Sequence, residues 1–184
     1  MSNQTPVLGS LSHFCLSVSD YEKSIKYYDT ILKKLGYKQF MQKEYYTGWV
    51  NTLCGVQFGI SSVRPEYKDS KHQRYSVGFN HLALNATSRE QVDEFHEFLL
   101  ENKVTILDEP KEYEYVPGYY AVFWEDPDGM KLELCYVPIP SPEENSENSE
   151  SVKVDDTDGV EPEGKDHEGN GESDENSPKR QKLE

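Results

Sequence analysis

Two histidines and one glutamate stand out in this 184-residue sequence as side chains whose types and positions suit a shared chemistry. His13 lies in the stretch HFCLSV, His81 follows 81 − 13 = 68 residues later in HLALN, and Glu133 lies in KLELC. In each stretch apolar residues alternate with these polar ones, which is the pattern of a half-buried β-strand. Two imidazoles and a carboxylate that line one cavity form a site for Zn²⁺, Fe²⁺, Mn²⁺, Ni²⁺ or Co²⁺. The sequence therefore predicts a divalent-metal site made by His13, His81 and Glu133.

Tyrosines accompany this candidate site. Tyr119 and Tyr120 begin the segment that precedes Glu133, and one of them is expected to point into the cavity and donate a hydrogen bond or a proton. Glu133 is the third catalytic candidate. Aromatic packing in an edge hairpin is the alternative role for the tyrosines.

The elements that position these residues follow one pattern used twice. After each histidine strand the chain breaks at Ser, Asp or Thr and continues as an amphipathic helix, the first of which ends at Gly36. Three further strands follow each helix, so the order is βαβββ twice, joined by the polar segment 64–78. The predicted strands are 37–42, one around 49–53, and 56–63 in the first module, and 104–109, 119–124 and 131–137 in the second.

A tight turn closes the second module. Asp126-Pro127-Asp128-Gly129 combines a proline that fixes φ with a glycine at the exit, so it joins the last two strands as a hairpin. If the apolar faces of all strands pack on the helices, the faces that carry His13, His81 and Glu133 line the opposite, concave side. The expected fold class is α+β, with two βαβββ modules that form an open barrel.

These features together resemble the vicinal-oxygen-chelate family, which includes glyoxalases, bleomycin-resistance proteins and dioxygenases. The resemblance rests on the paired modules, the histidine early in each first strand, and the DPDG-x-x-x-E hairpin, and it extends over residues 8–138. It implies a glyoxalase-like barrel with a metal ion at its floor. In the family, that ion binds two oxygens of a substrate and stabilises developing negative charge.

One position departs from the family pattern. When QFGIS is aligned on KLELC, Gly59 falls where members that isomerise glutathione hemithioacetals have a further glutamate. We therefore do not expect a standard glyoxalase I. The remaining three-ligand site predicts a metal-dependent lyase, isomerase or transferase that acts on a small oxygenated molecule. The alternatives are an extradiol-type dioxygenase, or a non-catalytic module that binds a small molecule.

The composition changes near residue 140. Residues 141–184 hold 5 basic and 15 acidic residues, a net charge of −10 out of −15 for the whole chain, and no aromatic residue. Such a segment cannot bury enough apolar surface to offset the entropy of ordering. We expect a flexible N-terminus at 1–8, a glyoxalase-like domain at 9–138 and a disordered acidic tail at 139–184.

Charge, hydropathy and cysteine spacing also limit the expected partners and the expected cellular compartment. The acidic balance argues against a nucleic-acid surface, and no apolar run is long enough to cross a membrane. The N-terminus resembles no signal peptide, and three cysteines without a CxxC pair fit a cytoplasmic protein. The segment 178–182, PKRQK, resembles a short nuclear-localisation signal, so a nuclear location is a further expectation. A monomer and a homodimer are both compatible with two modules per chain.

Overall fold

A computed structural model of the protein describes residues 8–138. The expectations for the acidic tail and for the basic cluster at 178–182 lie outside the described residues, as does most of the expected flexible N-terminus. Within 8–138 the order of elements is βαβββ twice, which confirms the predicted α+β fold class.

The first module is one four-stranded mixed sheet with a helix. Strand β1 leads into helix α1, and the sheet order is β1-β4-β3-β2, in which β1 runs parallel to β4 and the other neighbours are antiparallel. The elements are β1 (His13–Val18), α1 (Tyr21–Lys34), β2 (Tyr37–Gln42), β3 (Tyr46–Asn51) and β4 (Gln57–Ser62).

The second module repeats this topology after a connection that contains a short 3₁₀ helix at Pro65–Tyr67. Its sheet order is β5-β8-β7-β6, again with the first strand parallel to the last. The elements are β5 (His81–Asn85), α2 (Arg89–Glu101), β6 (Ile106–Glu112), β7 (Tyr120–Glu125) and β8 (Lys131–Tyr136).

Side-chain caps fix where both helices begin. Asp20 accepts a hydrogen bond from the backbone N–H of Lys23, and Ser88 accepts one from that of Gln91. These bonds satisfy backbone donors that have no partner inside the helix. Helix α1 ends at Gly36, whose φ of +80° lies in the left-handed region that glycine adopts without a steric cost.

The two modules share one hydrophobic core, made by both helices and the apolar faces of both sheets. Buried polar contacts join helix α1 to the β7–β8 hairpin. The Tyr28 hydroxyl donates to Asp126 Oδ2 at 2.7 Å, and Trp124 Nε1 donates to the Tyr27 hydroxyl at 2.9 Å. Both helices therefore pack on the core side of the sheets, and the opposite faces of the sheets point away from this core.

Strands β1 and β5 are edge strands. No hydrogen-bonded strand pair joins the two sheets within residues 8–138, so each of these strands has a free edge. Their polar side chains are exposed: His13, Cys15 and Ser17 on β1, and His81 and Asn85 on β5. In the same part of the chain, no helix is long and apolar enough to cross a membrane.

Candidate functional site

Glu133 is a buried carboxylate at the centre of the second sheet. It lies on β8, is 1 % exposed, and is in register with Ala83 of β5 and Phe123 of β7. Its Oε1 accepts a hydrogen bond of 2.5 Å from the Tyr119 hydroxyl, and its Oε2 lies 3.5 Å from His81 Nε2. The fold thus brings Glu133, His81 and Tyr119 together on one face.

Asn80 fixes the orientation of the His81 ring. The Nδ1–H group of His81 donates a hydrogen bond of 2.7 Å to Asn80 Oδ1. Nε2 then carries a lone pair and faces the Glu133 carboxylate oxygen, which is also an acceptor. Two acceptor atoms face each other favourably when a cation, either a proton or a metal ion, lies between them. A histidine whose second nitrogen is held by a side-chain oxygen is typical of metal ligands.

Tyr119 is a hydrogen-bond donor at this site. Burial, followed by the hydrogen bond to Glu133, raises the pKa of Tyr119 well above its usual value of 10. The proton therefore stays on the phenol at neutral pH, and the hydroxyl holds Oε1 of the carboxylate. Cys135 lies on the same face, and burial raises the pKa of its thiol too. Neither group is a base near neutral pH.

Tyr120 points to the other side of the sheet. Its hydroxyl donates to Asp93 of helix α2 at 2.8 Å, and the guanidinium of Arg89 stacks on its ring with 5.1 Å to the centroid. Of the two tyrosine candidates, only Tyr119 contacts Glu133.

Lys131 lies beside the pair formed by His81 and Glu133. It is in register with His81 on the neighbouring strand, is 7 % exposed, and places Nζ 3.6 Å from the ring centroid of Phe123. Burial, followed by the positive charge of Arg74, lowers the pKa of Lys131. Strand alternation puts Lys131 on the Glu133 face, and the parallel register of β5 and β8 puts it opposite His81.

His13 does not join this cluster. Its ring is exposed, and the contact it makes is between Nδ1 and Ser12 Oγ at 3.3 Å. Within residues 8–138, no three His, Cys, Asp or Glu side chains come together as a metal site. A single chain therefore brings together two of the three predicted ligands.

Comparison with known proteins agrees with this architecture. Residues 10–134 match the model of the Glyoxalase/Bleomycin resistance protein/Dioxygenase superfamily. The chain belongs to this superfamily.

Individual proteins are also similar to this chain over about two-thirds of its length or more. YqjT, an uncharacterised protein of Bacillus subtilis, is 37 % identical over 128 residues, which cover 67 % of this chain and 96 % of the relative. The metallothiol transferase FosB of Staphylococcus saprophyticus is 28 % identical over 128 residues, 70 % of this chain and 77 % of the relative. The crystal structure of a candidate glyoxalase from Bacillus halodurans is 30 % identical, with a TM-score of 0.61 over 70 % of this chain and 96 % of that one.

The space beside Gly59 that a side chain would occupy is filled by the ring of Tyr46. A Cβ atom built at Gly59 meets the Tyr46 hydroxyl and Cε2 at 2.9 Å each. Tyr46 thus lies over the place where a longer side chain would extend from β4. The first sheet offers no carboxylate at this position, as the sequence predicts.

Two features of the site escaped sequence reasoning. Asn80 directly precedes His81, but an Asn before a strand usually signals a turn, so its contact with Nδ1 gave no separate signal. The turn residue Asp126 also contacts Tyr28 of helix α1, and Asp128 contacts Ser19 in the connection between β1 and α1. Such long-range partners have no local sequence pattern.

Proposed function

We propose that the protein is a divalent-metal-dependent transferase, lyase or isomerase that acts on a small oxygenated molecule. The ligands are His81 and Glu133 of one chain and His13 of a second copy. The observation that carries the proposal is the buried Glu133 oxygen that faces His81 Nε2 at 3.5 Å, with Asn80 on the other ring nitrogen. A carboxylate and an imidazole so arranged fit Zn²⁺, Fe²⁺, Mn²⁺, Ni²⁺ or Co²⁺.

A second copy supplies the third ligand because His13 is exposed at the free edge of its own sheet. His13 and His81 occupy matching places in two modules of the same topology. A two-fold axis that brings β1 of one copy to β5 of the other would form two identical sites. This arrangement makes the protein a homodimer in its working state.

The bound ion would act as a Lewis acid on oxygen atoms of the substrate. The side chains of this chain have their own tasks. Glu133 and His81 would hold the ion, and Asn80 fixes the ring of His81. Tyr119 donates to Glu133 Oε1 and so fixes the direction of the other carboxylate oxygen. Its proton is retained near neutral pH, so it serves as a donor and not as a general base.

Two observations support a transferase or lyase over a glyoxalase I. FosB, whose name describes a metallothiol transferase, is 28 % identical over 128 residues. The Gly59 position, covered by Tyr46, provides no carboxylate for the proton transfer that glyoxalase I relatives carry out there.

Elemental analysis of the purified full-length chain tests this proposal. After loading with Zn²⁺, Fe²⁺, Mn²⁺, Ni²⁺ or Co²⁺ in turn and removal of free ion, the wild type should retain close to one ion per chain. Glu133→Gln keeps the size of the side chain and an acceptor for Tyr119 but removes the charge, and should lose the ion. Glu101→Gln on helix α2 is the matched control and should retain it.

Retention of the same metal content by Glu133→Gln would refute this site. Failure of the wild type to retain any of the five ions would instead favour the second candidate, a non-catalytic module that binds a small molecule. The observation that favours this candidate is that the described residues of one chain form no three-ligand cluster. Oxygen uptake with catechols by the iron-loaded protein would identify the extradiol alternative.

A further inference from the structure

A cavity of about 220 Å³ lies where the β1–α1 connection, the β7–β8 turn and the connection between the modules meet. His13, His81 and Glu133 do not line it. Each molecule of liquid water takes up about 30 Å³, so the cavity has room for roughly seven non-hydrogen atoms of a ligand. Most of the lining is polar, and it includes Ser17, Tyr67, Ser70, Lys71, His72 and Asp128.

Hydrogen bonds between distant segments hold the walls of this cavity. Ser19 donates to both carboxylate oxygens of Asp128, through its backbone N–H at 3.1 Å and through its hydroxyl. These bonds fix the β7–β8 turn against the start of helix α1. The backbone N–H of Val63 donates to the carbonyl of Val18 at 3.1 Å, so the connection leaves β4 beside the end of β1. The cavity is therefore built by the fold and not by one loop alone.

Several polar groups of the lining have no partner in the protein. Within residues 8–138, the hydroxyls of Ser17, Tyr67 and Ser70 form no hydrogen bond. Lys71 forms no ion pair with any described residue. The Nε2 atom of His72 is buried and also lacks a hydrogen-bond partner. Polar groups of this kind are normally satisfied by water or by a ligand, so the lining is suited to a molecule that both donates and accepts hydrogen bonds.

The charges of the lining disfavour a charged ligand. Lys71 and Asp128 both line the cavity, and no ion pair joins them. An anion would be attracted by the ammonium group but repelled by the carboxylate, and a cation would experience the reverse. Each Asp128 oxygen accepts one bond from Ser19 and keeps a lone pair for a further donor. Hydroxyl groups of a ligand can donate to Asp128 and accept from Lys71, so they suit both ends of the cavity.

We propose that this cavity is a ligand site separate from the proposed metal centre, and that it binds a small uncharged molecule with several hydroxyl groups. Its volume suits a three- or four-carbon polyol. Ser17 follows His13 on the same face of β1 by 17 − 13 = 4 residues, roughly 13 Å along the strand. A ligand of roughly seven non-hydrogen atoms does not extend from the cavity to His13. The inference therefore does not depend on metal binding.

A chemical-shift titration of the full-length, isotope-labelled and chelator-treated protein tests this site. The probes are glycerol, glycerate and serinol, which share a three-carbon skeleton and are uncharged, negative and positive respectively. Glycerol should shift the backbone amide signals of Ser70 and Lys71 saturably and with the lowest Kd of the three. The charged probes should bind more weakly, because each carries the same sign of charge as one of Lys71 and Asp128.

Two pairs of variants make the result specific. Tyr67→Phe and Lys71→Met should each raise the Kd for glycerol by roughly threefold to tenfold, because each removes one hydrogen bond to the ligand. Both side chains are exposed, so we expect both variants to fold. Tyr75→Phe and Lys68→Met are the matched controls, since these side chains are exposed in the same connection and do not line the cavity. They should leave the Kd unchanged.

Two results would overturn the site: no saturable shift with glycerol up to roughly 100 mM, or the same Kd for glycerol in the wild type, Tyr67→Phe and Lys71→Met. A lower Kd for glycerate or serinol than for glycerol would overturn the assignment to an uncharged ligand. Because the titration uses metal-free protein, its outcome is independent of metal retention.

Discussion

At the scale of single residues, the proposed metal site depends on how Glu133 is held. The carboxylate has the Tyr119 hydroxyl on one oxygen and His81 Nε2 near the other. A ligand side chain fixed in this way needs little reorganisation when it binds a metal ion. The partners of metal ligands therefore contribute to affinity although they do not touch the ion.

Tyr119→Phe should weaken metal binding roughly tenfold to a hundredfold, because a ligand loses its orienting hydrogen bond. Competition with a chromophoric chelator measures this affinity, and circular dichroism checks that the fold is intact. Tyr115→Phe is the matched control, since Tyr115 is 62 % exposed and contacts the same aromatic group without reaching Glu133. Equal affinities in Tyr119→Phe and the wild type would show that Tyr119 only packs against the site.

The sequence could not decide between Tyr119 and Tyr120 because β7 is apolar on both faces. Val122 and Trp124 pack in the main core on the helix side, whereas Ala121 and Phe123 form a smaller buried cluster on the Glu133 side. Alternation shows that the two tyrosines point in opposite directions. It does not show which direction leads to Glu133, because that depends on which face of β7 packs on the helices.

At the scale of elements, the strands that carry the candidate metal ligands could be predicted from the sequence. His13 and His81 begin β1 and β5, and β2 spans Tyr37–Gln42 as predicted. Strand β6 differs, since it runs from Ile106 to Glu112 and includes Pro110, beyond the predicted end at 109. An edge strand tolerates a proline, because its backbone nitrogen need not donate to a neighbour, and two register shifts interrupt the pairing of β6 with β7.

The β7–β8 turn is an element with more than a local role. Asp126 accepts hydrogen bonds from the backbone of Asp128 and Met130, as a turn residue does, and also one from Tyr28 of helix α1. It is 6 % exposed, and burial raises its pKa above the usual 3.8 although these hydrogen bonds oppose the shift. Folding therefore favours the protonated form of this carboxyl group.

The pH dependence of stability should show this preference. Between 3.8 and the raised pKa, the folded protein holds a proton that the unfolded chain has released, so the Asp126 contribution to stability falls as pH rises. As pH rises across this window, the unfolding free energy of the wild type should fall relative to that of Asp126→Asn, by at most about 1.4 kcal/mol per pH unit. Urea unfolding from pH 4 upward measures the difference.

Asp69→Asn is the control for this experiment, because Asp69 is an exposed carboxylate in the connection between the modules. A difference between the wild type and Asp126→Asn that stays flat with pH, or that shifts in favour of the wild type as pH rises, would contradict the assignment.

At the scale of the whole molecule, the repeat and the family were accessible from the sequence, but the way the modules meet was not. The matching strands, helices and turn predicted two βαβββ modules, and the match over residues 10–134 confirms the superfamily. The prediction that His13, His81 and Glu133 line one cavity rested on strand alternation, with the apolar faces of all strands packed on the helices. Alternation shows on which side of its own sheet each residue lies but not how the two sheets meet, and the shared core leaves β1 and β5 with free edges.

The measurement that tests the shared metal centre most directly is the metal content of a heterodimer of His13→Ala and Glu133→Gln chains. The two chains are co-expressed with different affinity tags, purified through both tags, and loaded with the ion that the wild type retains. One of the two sites then has His13 from one chain with His81 and Glu133 from the other, while the second site lacks both His13 and Glu133. If the centre is shared between two chains, neither homodimer should retain metal, and the heterodimer should retain about half the wild-type amount per chain. A metal-free heterodimer, a His13→Ala homodimer with full metal content, or chains that do not associate would contradict it.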